Sequence, residues 1–389
     1  MSGASPDAAE GLAVYVHLPW CVSKCPYCDF NSHTLRGVLP EAEYVAALLA
    51  DLEADLPLVA GRRVDSVFIG GGTPSLFSGG AIESLLVGLA ARLAVAPGVE
   101  ITLEVNPGTV ERGRLADYRA AGVNRLSIGA QSFDAGMLRI LGRIHGPGDI
   151  SVAMAEAAAG GFGNVNLDLM YGLPQQTPEQ ALADVEAALA LGPTHVSHYQ
   201  LTLEPNTRFH HSPPPLPDED ALWAIESVCR ARLAAAGFRR YEVSAWSRPG
   251  RECRHNLAYW RFDDYLGLGA GAHGKLSLTG GVHRRWRVAH PQGYLRAPAP
   301  RLAGERWLGE EDLLLEYLMN ALRLSEGFTL AGFARRTGLP GERLASRLLQ
   351  LQQRGLMRLE GDRWQASERG YAHLDGLLAE FLPSAPAGS

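Results

Sequence analysis

Residues 21–28 read Cys21-Val-Ser-Lys-Cys25-Pro-Tyr-Cys28, and they follow almost directly on the apolar run Ala13-Val-Tyr-Val-His-Leu18. Three thiols at C-x3-C-x2-C spacing can hold three irons of a cubane iron–sulfur cluster, a group usually held by four Cys thiolates. With three supplied, one iron stays open to an exchangeable ligand. A zinc site is the weaker reading, because zinc takes four tetrahedral ligands at other spacings and would need His17 or His33 as the fourth. A disulfide fares worse still, since three is odd and nothing marks secretion.

The 389 residues leave room for a large core and two or three domains. A formal net charge of −6 and a pI near 6.1 argue against a general nucleic-acid surface. No stretch of about 18 uninterrupted apolar residues occurs, so no transmembrane helix is expected. The opening Met-Ser-Gly-Ala-Ser-Pro-Asp lacks a basic region followed by an apolar one, so no signal peptide is expected. Thiols kept reduced for a cluster make the cytoplasm the expected compartment.

From Gly11 to about Leu203 short apolar runs alternate with amphipathic segments, the pattern of a parallel β/α domain. The runs place strands at 13–18, 64–69, 100–105, 125–128, 164–170 and 195–201. They place helices at 41–56, 80–93, 110–121, 134–141, 150–159 and 178–191. Six such units are too few for a closed eight-fold barrel. In β/α barrels chemistry gathers at the C-terminal ends of the strands, and each of these strands delivers polar or glycine-rich residues there. The first ends at the cysteine loop and the second at Gly70-Gly71-Gly72-Thr73-Pro74. The third carries Glu104 and Asn106, and the fourth leads to Gln131-Ser132. The fifth bears Asn166 and Asp168, and the sixth runs into Tyr199-Gln200.

Beyond the barrel, 203–217 reads as a long rim loop in which His210 and His211 are solvated. A helix at 218–235 and a single strand at 238–246 follow. The second informative stretch is Cys253-Arg-His255-Asn256-Leu-Ala-Tyr259-Trp260. An imidazole beside two large aromatics can ligate a haem iron while the rings pack on the macrocycle. The alternative is a loop whose Tyr and Trp pack under the barrel while His255 bonds a carbonyl. Chemistry alone favours the alternative, because a lone His is weak evidence. Cys229 and Cys253 read as buried, inert thiols, with haem attachment through Cys253 as the competing role.

From about Gly309 the pattern changes to helices at 312–324, 330–337 and 341–355, then a strand pair at 357–359 and 364–366 around Glu360-Gly361-Asp362. Three helices plus a hairpin suggest a winged-helix-like module. Nine Arg stand against eleven Asp and Glu in residues 310–382, so phosphate binding lacks its electrostatic basis and a lid or docking role is expected. The expected division is a flexible N-terminus at 1–10, a barrel core at 11–205 and a barrel extension at 206–308. The C-terminal module follows at 309–382, with a flexible tail at 383–389.

Cys-x3-Cys-x-aromatic-Cys after a first strand resembles the radical S-adenosylmethionine (SAM) superfamily. The resemblance implies an open, partial (β/α)6 barrel and a [4Fe–4S] cluster on Cys21, Cys25 and Cys28. The amino and carboxylate groups of SAM would chelate the open iron, and one electron would cleave the sulfonium to a 5′-deoxyadenosyl radical. It also implies that Gly70, Gly71, Gly72 and Thr73 meet the methionyl amino group, that Tyr15 and Tyr27 border the cofactor, and that Glu104 meets its ribose or amino group. Gln131, Arg143 and Asp168 match polar positions lining the SAM and substrate side in porphyrinogen-oxidising relatives. Pairing within the barrel is the competing role for Glu104, Arg143 and Asp168.

The segments HLPWC-x3-CPYCDFNSH, FIGGGTPS, EVNPGT, GRIHGP, NLDLMYGLP and HNLAYWRF extend the likeness over nearly the whole chain. They are similar to the HemW haem chaperones, relatives of oxygen-independent coproporphyrinogen III oxidase. In that family His-Asn-x-x-Tyr-Trp is associated with haem, which implies a haem site at His255, Asn256, Tyr259 and Trp260. The oxidase carries a fourth Cys where Phe30 stands here, and an N-terminal extension ahead of a first strand that here starts within about 12 residues. The resemblance therefore implies a chaperone that binds haem and passes it to acceptor proteins, membrane-associated ones among the candidates, with no nucleic-acid partner. An oxidase that decarboxylates porphyrinogen propionates to vinyl groups stands second. A nucleic-acid-modifying enzyme stands third.

Overall fold

The structure, a computed structural model, describes residues 11–108 and 114–382. The expected terminal segments at 1–10 and 383–389, and the first residues of the helix expected from Val110, lie outside them. The barrel strands are β1 (Gly11–Leu18), β4 (Arg63–Gly71), β5 (Ala94–Val105), β6 (Arg125–Gln131), β7 (Val165–Tyr171) and β8 (His195–Gln200). Two short strands, β2 (Trp20–Cys21) and β3 (His33–Thr34), close the cysteine loop between β1 and β4. Beyond β8 come β9 (Arg239–Glu242), β10 (Ala245–Ser247), β11 (Tyr265–Leu268), β12 (His273–Leu278), β13 (Gly281–Arg287) and β14 (Leu302–Trp307). A separate small sheet holds β15 (Phe328–Thr329), β16 (Met357–Glu360) and β17 (Arg363–Ala366).

The large sheet has twelve strands in the order β14-β13-β12-β11-β1-β4-β5-β6-β7-β8-β10-β9. Pairing is parallel from β1 through β8, as helical crossovers require. Because the sheet ends in edge strands it does not close, which is the open, partial barrel expected from six β/α units.

The strands alternate in an unusual sense. Val14, Val16, Ile69, Leu103, Val105, Leu126, Ile128, Val165 and Leu167 are buried in one core with helix residues such as Leu48, Leu52, Leu85 and Ile150. The intervening positions carry polar groups, and register lines them up: Glu104 is opposite Ser127, Ser127 opposite Asn166, and Asn166 opposite His195. With a side-chain period of two, an apolar face toward the helices forces a polar face into the barrel. Burying those polar groups is tolerable only because they bond one another. Asn166 Nδ2 donates to Ser127 Oγ and Asp168 Oδ1, and His195 sits between Asn166 Oδ1 at 2.6 Å and the Tyr241 hydroxyl at 2.8 Å.

The helices follow their sequence signals. Helix Pro178–Ala190 opens with a reciprocal cap, the Thr177 hydroxyl accepting from the Gln180 N–H while the Gln180 side chain accepts from the Thr177 N–H. The segment expected as one strand at 238–246 is instead the hairpin β9–β10, which pairs antiparallel and turns at Val243-Ser244. The Glu242 carboxylate holds that turn by accepting from the Ser244 N–H and hydroxyl. The rim loop contains a helical turn at Arg208–His211, with His210 and His211 exposed as expected.

The extension is fastened to the first barrel helix, Glu41–Val59, by charges. Asp51 and Asp55 on that helix pair with Arg285 and Arg287 of β13, and the Tyr294 hydroxyl donates to Asp51. Residues 308–381 pack a second core around Tyr317, Leu318, Phe333, Leu348 and Trp364. Helices Glu310–Ala321, Leu330–Thr337 and Glu342–Gln353 with the sheet β15-β17-β16 give the winged-helix-like module expected from the pattern.

Candidate functional site

The short parallel pairing of β2 with β3 ties both ends of the cysteine loop, and His33 N–H and Leu35 N–H donate to the carbonyls of Pro19 and Cys21. All three thiols are free and line one cleft of about 920 Å³ at the C-terminal end of the barrel. Arg143 reaches the Cys25 sulfur at 3.8 Å while donating to the Gly129 carbonyl at 3.0 Å. That guanidinium is a fixed positive charge beside a sulfur of the proposed donor set. Burial pushes the Cys21 and Cys28 thiols up, an effect that a bound cation would reverse.

Among the described residues no three Cys, His or acidic side chains converge on a single ion position. Three free thiols in one cleft are the donor chemistry that a cluster with one thiolate per iron requires. Phe30, where the oxidase has its fourth Cys, lines the same cleft and is 62% exposed.

The glycine triplet lies directly against this loop. Gly72 N–H donates to the Leu18 carbonyl and Thr73 N–H to that of Trp20. A Cβ on Gly72 would stand 2.5 Å from the Trp20 oxygen, and Gly71, at φ +120°, would press one onto the His17 ring at 2.7 Å. Backbone alone can approach this closely.

Gly71 N–H donates to Glu104 Oε2 at 3.0 Å. Burial, with repulsion from Asp168 added, pushes Glu104 up to about 8 although that N–H favours its charge. Asp168 is also raised by burial, against hydrogen bonds from Asn166, Ser197 and Ser127. Gln131 accepts from the Tyr199 hydroxyl at 2.7 Å. It sits at φ +69°, where the register of β6 with β7 shifts, and such backbone strain is typical of functional positions.

Cys21, Cys25, Cys28, Tyr27, Gly71, Gly72, Thr73, Glu104, Gln131, Arg143 and Asp168 therefore all line one cleft. Tyr15 does not. Its hydroxyl bonds His17 Nδ1 at 2.9 Å, and its ring lies deeper in the barrel beside Phe68 and His255. Ser127 and Gly129 also line the cleft without having been singled out in the sequence, as does Tyr199, which the sequence placed at the end of the sixth strand without a role. The signal for Ser127 and Gly129 was the alternation Arg125, Ser127, Gly129, Gln131 along one face of β6.

The His255 stretch lies at the other end. Helix Arg254–Trp260 plugs the N-terminal end of the strands, and Glu100 of β5 accepts from the Arg254 N–H at 2.8 Å and the His255 N–H at 3.3 Å. That carboxylate satisfies first-turn donors for which Cys253 supplies no side-chain cap. His255 is 1% exposed, and both ring nitrogens are engaged, Nδ1 with Ser66 Oγ at 3.1 Å and Nε2 with the Tyr259 hydroxyl at 2.9 Å. Burial, then the Arg125 charge, pushes it down to about 3 and keeps the imidazole neutral.

Ser66 and Gly71 are five positions apart on β4, so the two ends are separated by roughly 16 Å of strand. Rings bridge the gap. Ring centroids step from His17 to Tyr15 at 5.8 Å, Tyr15 to His255 at 6.3 Å, His255 to Tyr259 at 4.8 Å and Tyr259 to Trp260 at 6.4 Å. Asn256 is half-buried, as is Trp260, whose indole N–H is buried without an acceptor. Cys253 is fully buried, its thiol 3.6 Å from Glu100 and pushed up to about 12 by burial. Cys229 is core.

Residues 15–188 match the family model of the radical SAM superfamily, and residues 308–373 match that of the HemN C-terminal domain. The chain is 48% identical to the heme chaperone HemW of Escherichia coli over 95% of its own length and 98% of that protein. It is 38% identical to a mouse mitochondrial protein, radical S-adenosyl methionine domain-containing protein 1, over 97% and 89% of the two chains. The solved coproporphyrinogen III oxidase (HemN) of Escherichia coli superposes with a TM-score of 0.79, covering 98% of this chain and 91% of that one at 23% identity, a likeness of fold. No helix among the described residues is long and apolar enough to cross a membrane. Full-length similarity at this level places the chain in the HemW family of the radical SAM superfamily.

Proposed function

We propose that this protein is a cytoplasmic haem chaperone that carries a [4Fe–4S] cluster, binds SAM beside it, and delivers haem to acceptor proteins, membrane-associated ones among the candidates. The observation that carries the proposal is full-length kinship with a relative named as a heme chaperone, together with an exposed Phe30 where the oxidase has its fourth Cys. We read the molecule as four parts: the barrel core, the barrel extension with the His-Asn-x-x-Tyr-Trp helix, the C-terminal module and the terminal segments.

Cys21, Cys25 and Cys28 would hold the cluster, which when bound supplies a one-electron reductant and an open iron for the SAM amino and carboxylate groups. The chain's own residues prepare the place. Arg143 offsets thiolate charge, Gly71 and Gly72 let backbone approach the cofactor, and Glu104 can take a donor from SAM if it releases the Gly71 N–H. Tyr27, Thr73, Gln131 and Asp168 complete the walls. Haem would be taken at the helix of His255, Asn256, Tyr259 and Trp260. A neutral imidazole suits an iron ligand, but Nε2 becomes available only when its bond with Tyr259 opens.

The test is anaerobic turnover. Cluster-loaded protein with SAM, reductant and coproporphyrinogen III should yield no protoporphyrinogen, while haem-loaded protein should pass haem to apo-myoglobin faster than free exchange allows. Sustained porphyrinogen decarboxylation would overturn the chaperone assignment in favour of the oxidase.

A further inference from the structure

Trp260 points attention to a second cleft, on the side of the barrel away from the cysteines. About 700 Å³ of open space lies between the end of helix Arg254–Trp260 and the C-terminal module. Half-buried Trp260 lines it in front of the buried rings of Tyr317 and Phe328, and its charge comes from Arg261, Arg335, Arg336 and Arg363 against a single lining carboxylate, Glu326.

The arginines are unequally used. Arg261 gives Glu326 two bonds, at 3.0 and 3.1 Å, and Arg336 pairs with Asp263. Arg363 donates to the carbonyls of Glu326 and Gly327 and stands 3.5 Å from the Glu326 carboxylate. Arg335 is exposed and has no hydrogen bond or ion pair among the described residues. The Trp260 indole N–H is buried without an acceptor among the described residues, and the Arg323 guanidinium lies over the ring at 4.4 Å from its centroid. Guanidinium groups favour carboxylates through charge-assisted, paired hydrogen bonds, and aromatic walls favour a planar partner.

We propose that this cleft is a binding site for a planar porphyrin acid, with Arg335 and its neighbours taking the carboxylates and half-buried Trp260 at the edge of the ring. The proposal rests on the haem-carrying function and deepens it. It assigns the propionate end of the cargo to the C-terminal module, where the sequence suggested a lid or docking role, and it makes the joint between that module and the barrel part of the haem site. Because carboxylates need no iron, the site accepts metal-free protoporphyrin IX.

Full-length protein, its Arg335→Glu variant and its Trp260→Phe variant are titrated with protoporphyrin IX and with protoporphyrin IX dimethyl ester, followed by porphyrin fluorescence. Loss of a charge-assisted contact weakens binding about tenfold. The free acid should bind wild type about tenfold more tightly than the ester, Arg335→Glu should abolish that preference, and Trp260→Phe should weaken acid and ester alike. Equal binding of acid and ester, or an Arg335→Glu variant that keeps wild-type affinity for the acid, overturns the proposal. If haemin then still saturates the wild type, the haem-carrying function survives that failure. If neither haemin nor protoporphyrin IX binds, that function fails and the site with it. ATP binding that depends equally on Arg335 would assign the arginines to a nucleotide and also overturn the proposal.

Discussion

At the C-terminal end of the strands Cys21, Cys25 and Cys28 face an open cleft beside Arg143, whereas at the N-terminal end Cys253 is fully buried with its thiol against Glu100. Tyrosine divides in the same way. Tyr27 lines the upper cleft, but His255 and Tyr259 spend their polar atoms on each other and on Ser66. The same residue types are presented to a ligand at one end and used to seal the barrel at the other. In β/α barrels the position along the strand, more than residue type, sets that role. The sealed end opens outward at Trp260, with the arginines beyond.

Replacing all three cluster cysteines by serine should produce the largest effect and separate the ends most cleanly. Anaerobic reconstitution should load no cluster iron, while the unfolding free energy shifts by about 1 kcal/mol or less, because these thiols make few contacts in the apo chain. Retained cluster absorbance would erase the distinction. His255→Ala should do the reverse. It strips partners from buried Ser66 and Tyr259 and opens a cavity, so urea unfolding should report a loss of roughly 2–4 kcal/mol with cluster iron unchanged.

Gly72→Ala sharpens the upper half of the comparison. Its Cβ would meet the Trp20 carbonyl at 2.5 Å, a backbone atom tied to the cysteine loop. About 1–3 kcal/mol of destabilisation and weaker SAM binding should follow, read by calorimetry of the cluster-loaded protein. A variant with wild-type SAM affinity would show that the loops yield.

The smallest effect is one of pH. Glu104 titrates at about 8 in the fold against an ordinary 4.5, so the folded state holds its proton more tightly than the unfolded chain. The associated stability is fully present below about pH 4.5 and is lost as pH rises through 8. Glu104→Gln removes that dependence. Its stability relative to wild type should therefore climb between pH 5 and 6.5 by about 2 kcal/mol, measured by urea unfolding of the apo protein. A flat difference would mean that Glu104 is ionised throughout.

The barrel was legible because each strand carries its own apolar alternation and several helices their own side-chain caps, at Ser78, Asp134 and Thr177, signals confined to a few residues. What escaped had no local signal. The hairpin β9–β10 turns at Val243-Ser244 with no Gly, Pro or Asn, so 238–246 read as one strand. β11 hides in Leu266-Gly-Leu-Gly-Ala-Gly, where Gly267 passes so close to the His273 backbone that a Cβ would stand 2.0 Å from its oxygen. Glycines that read as loop are there for strand packing. At the upper site, motif residues were sufficient to find the cleft, and Ser127 and Gly129 were hidden only because small residues in strands are unremarkable in sequence. For His255 the residues were visible and the partners were not. Ser66 lies 189 positions away, and Glu100 is 155 positions from the N–H it caps. The C-terminal module was recognisable as a fold, but its arginines meet Trp260 only through the packing of the two cores.

The most direct test of two separate ends is an anaerobic haemin titration, followed by absorbance, of wild type, the triple cysteine-to-serine variant and His255→Ala. The account predicts saturation near one haem per chain in the first two, with the ligation spectrum altered or lost in the third. Featureless, non-saturating binding in all three, or haem binding that disappears with the cysteines and not with His255, would contradict it.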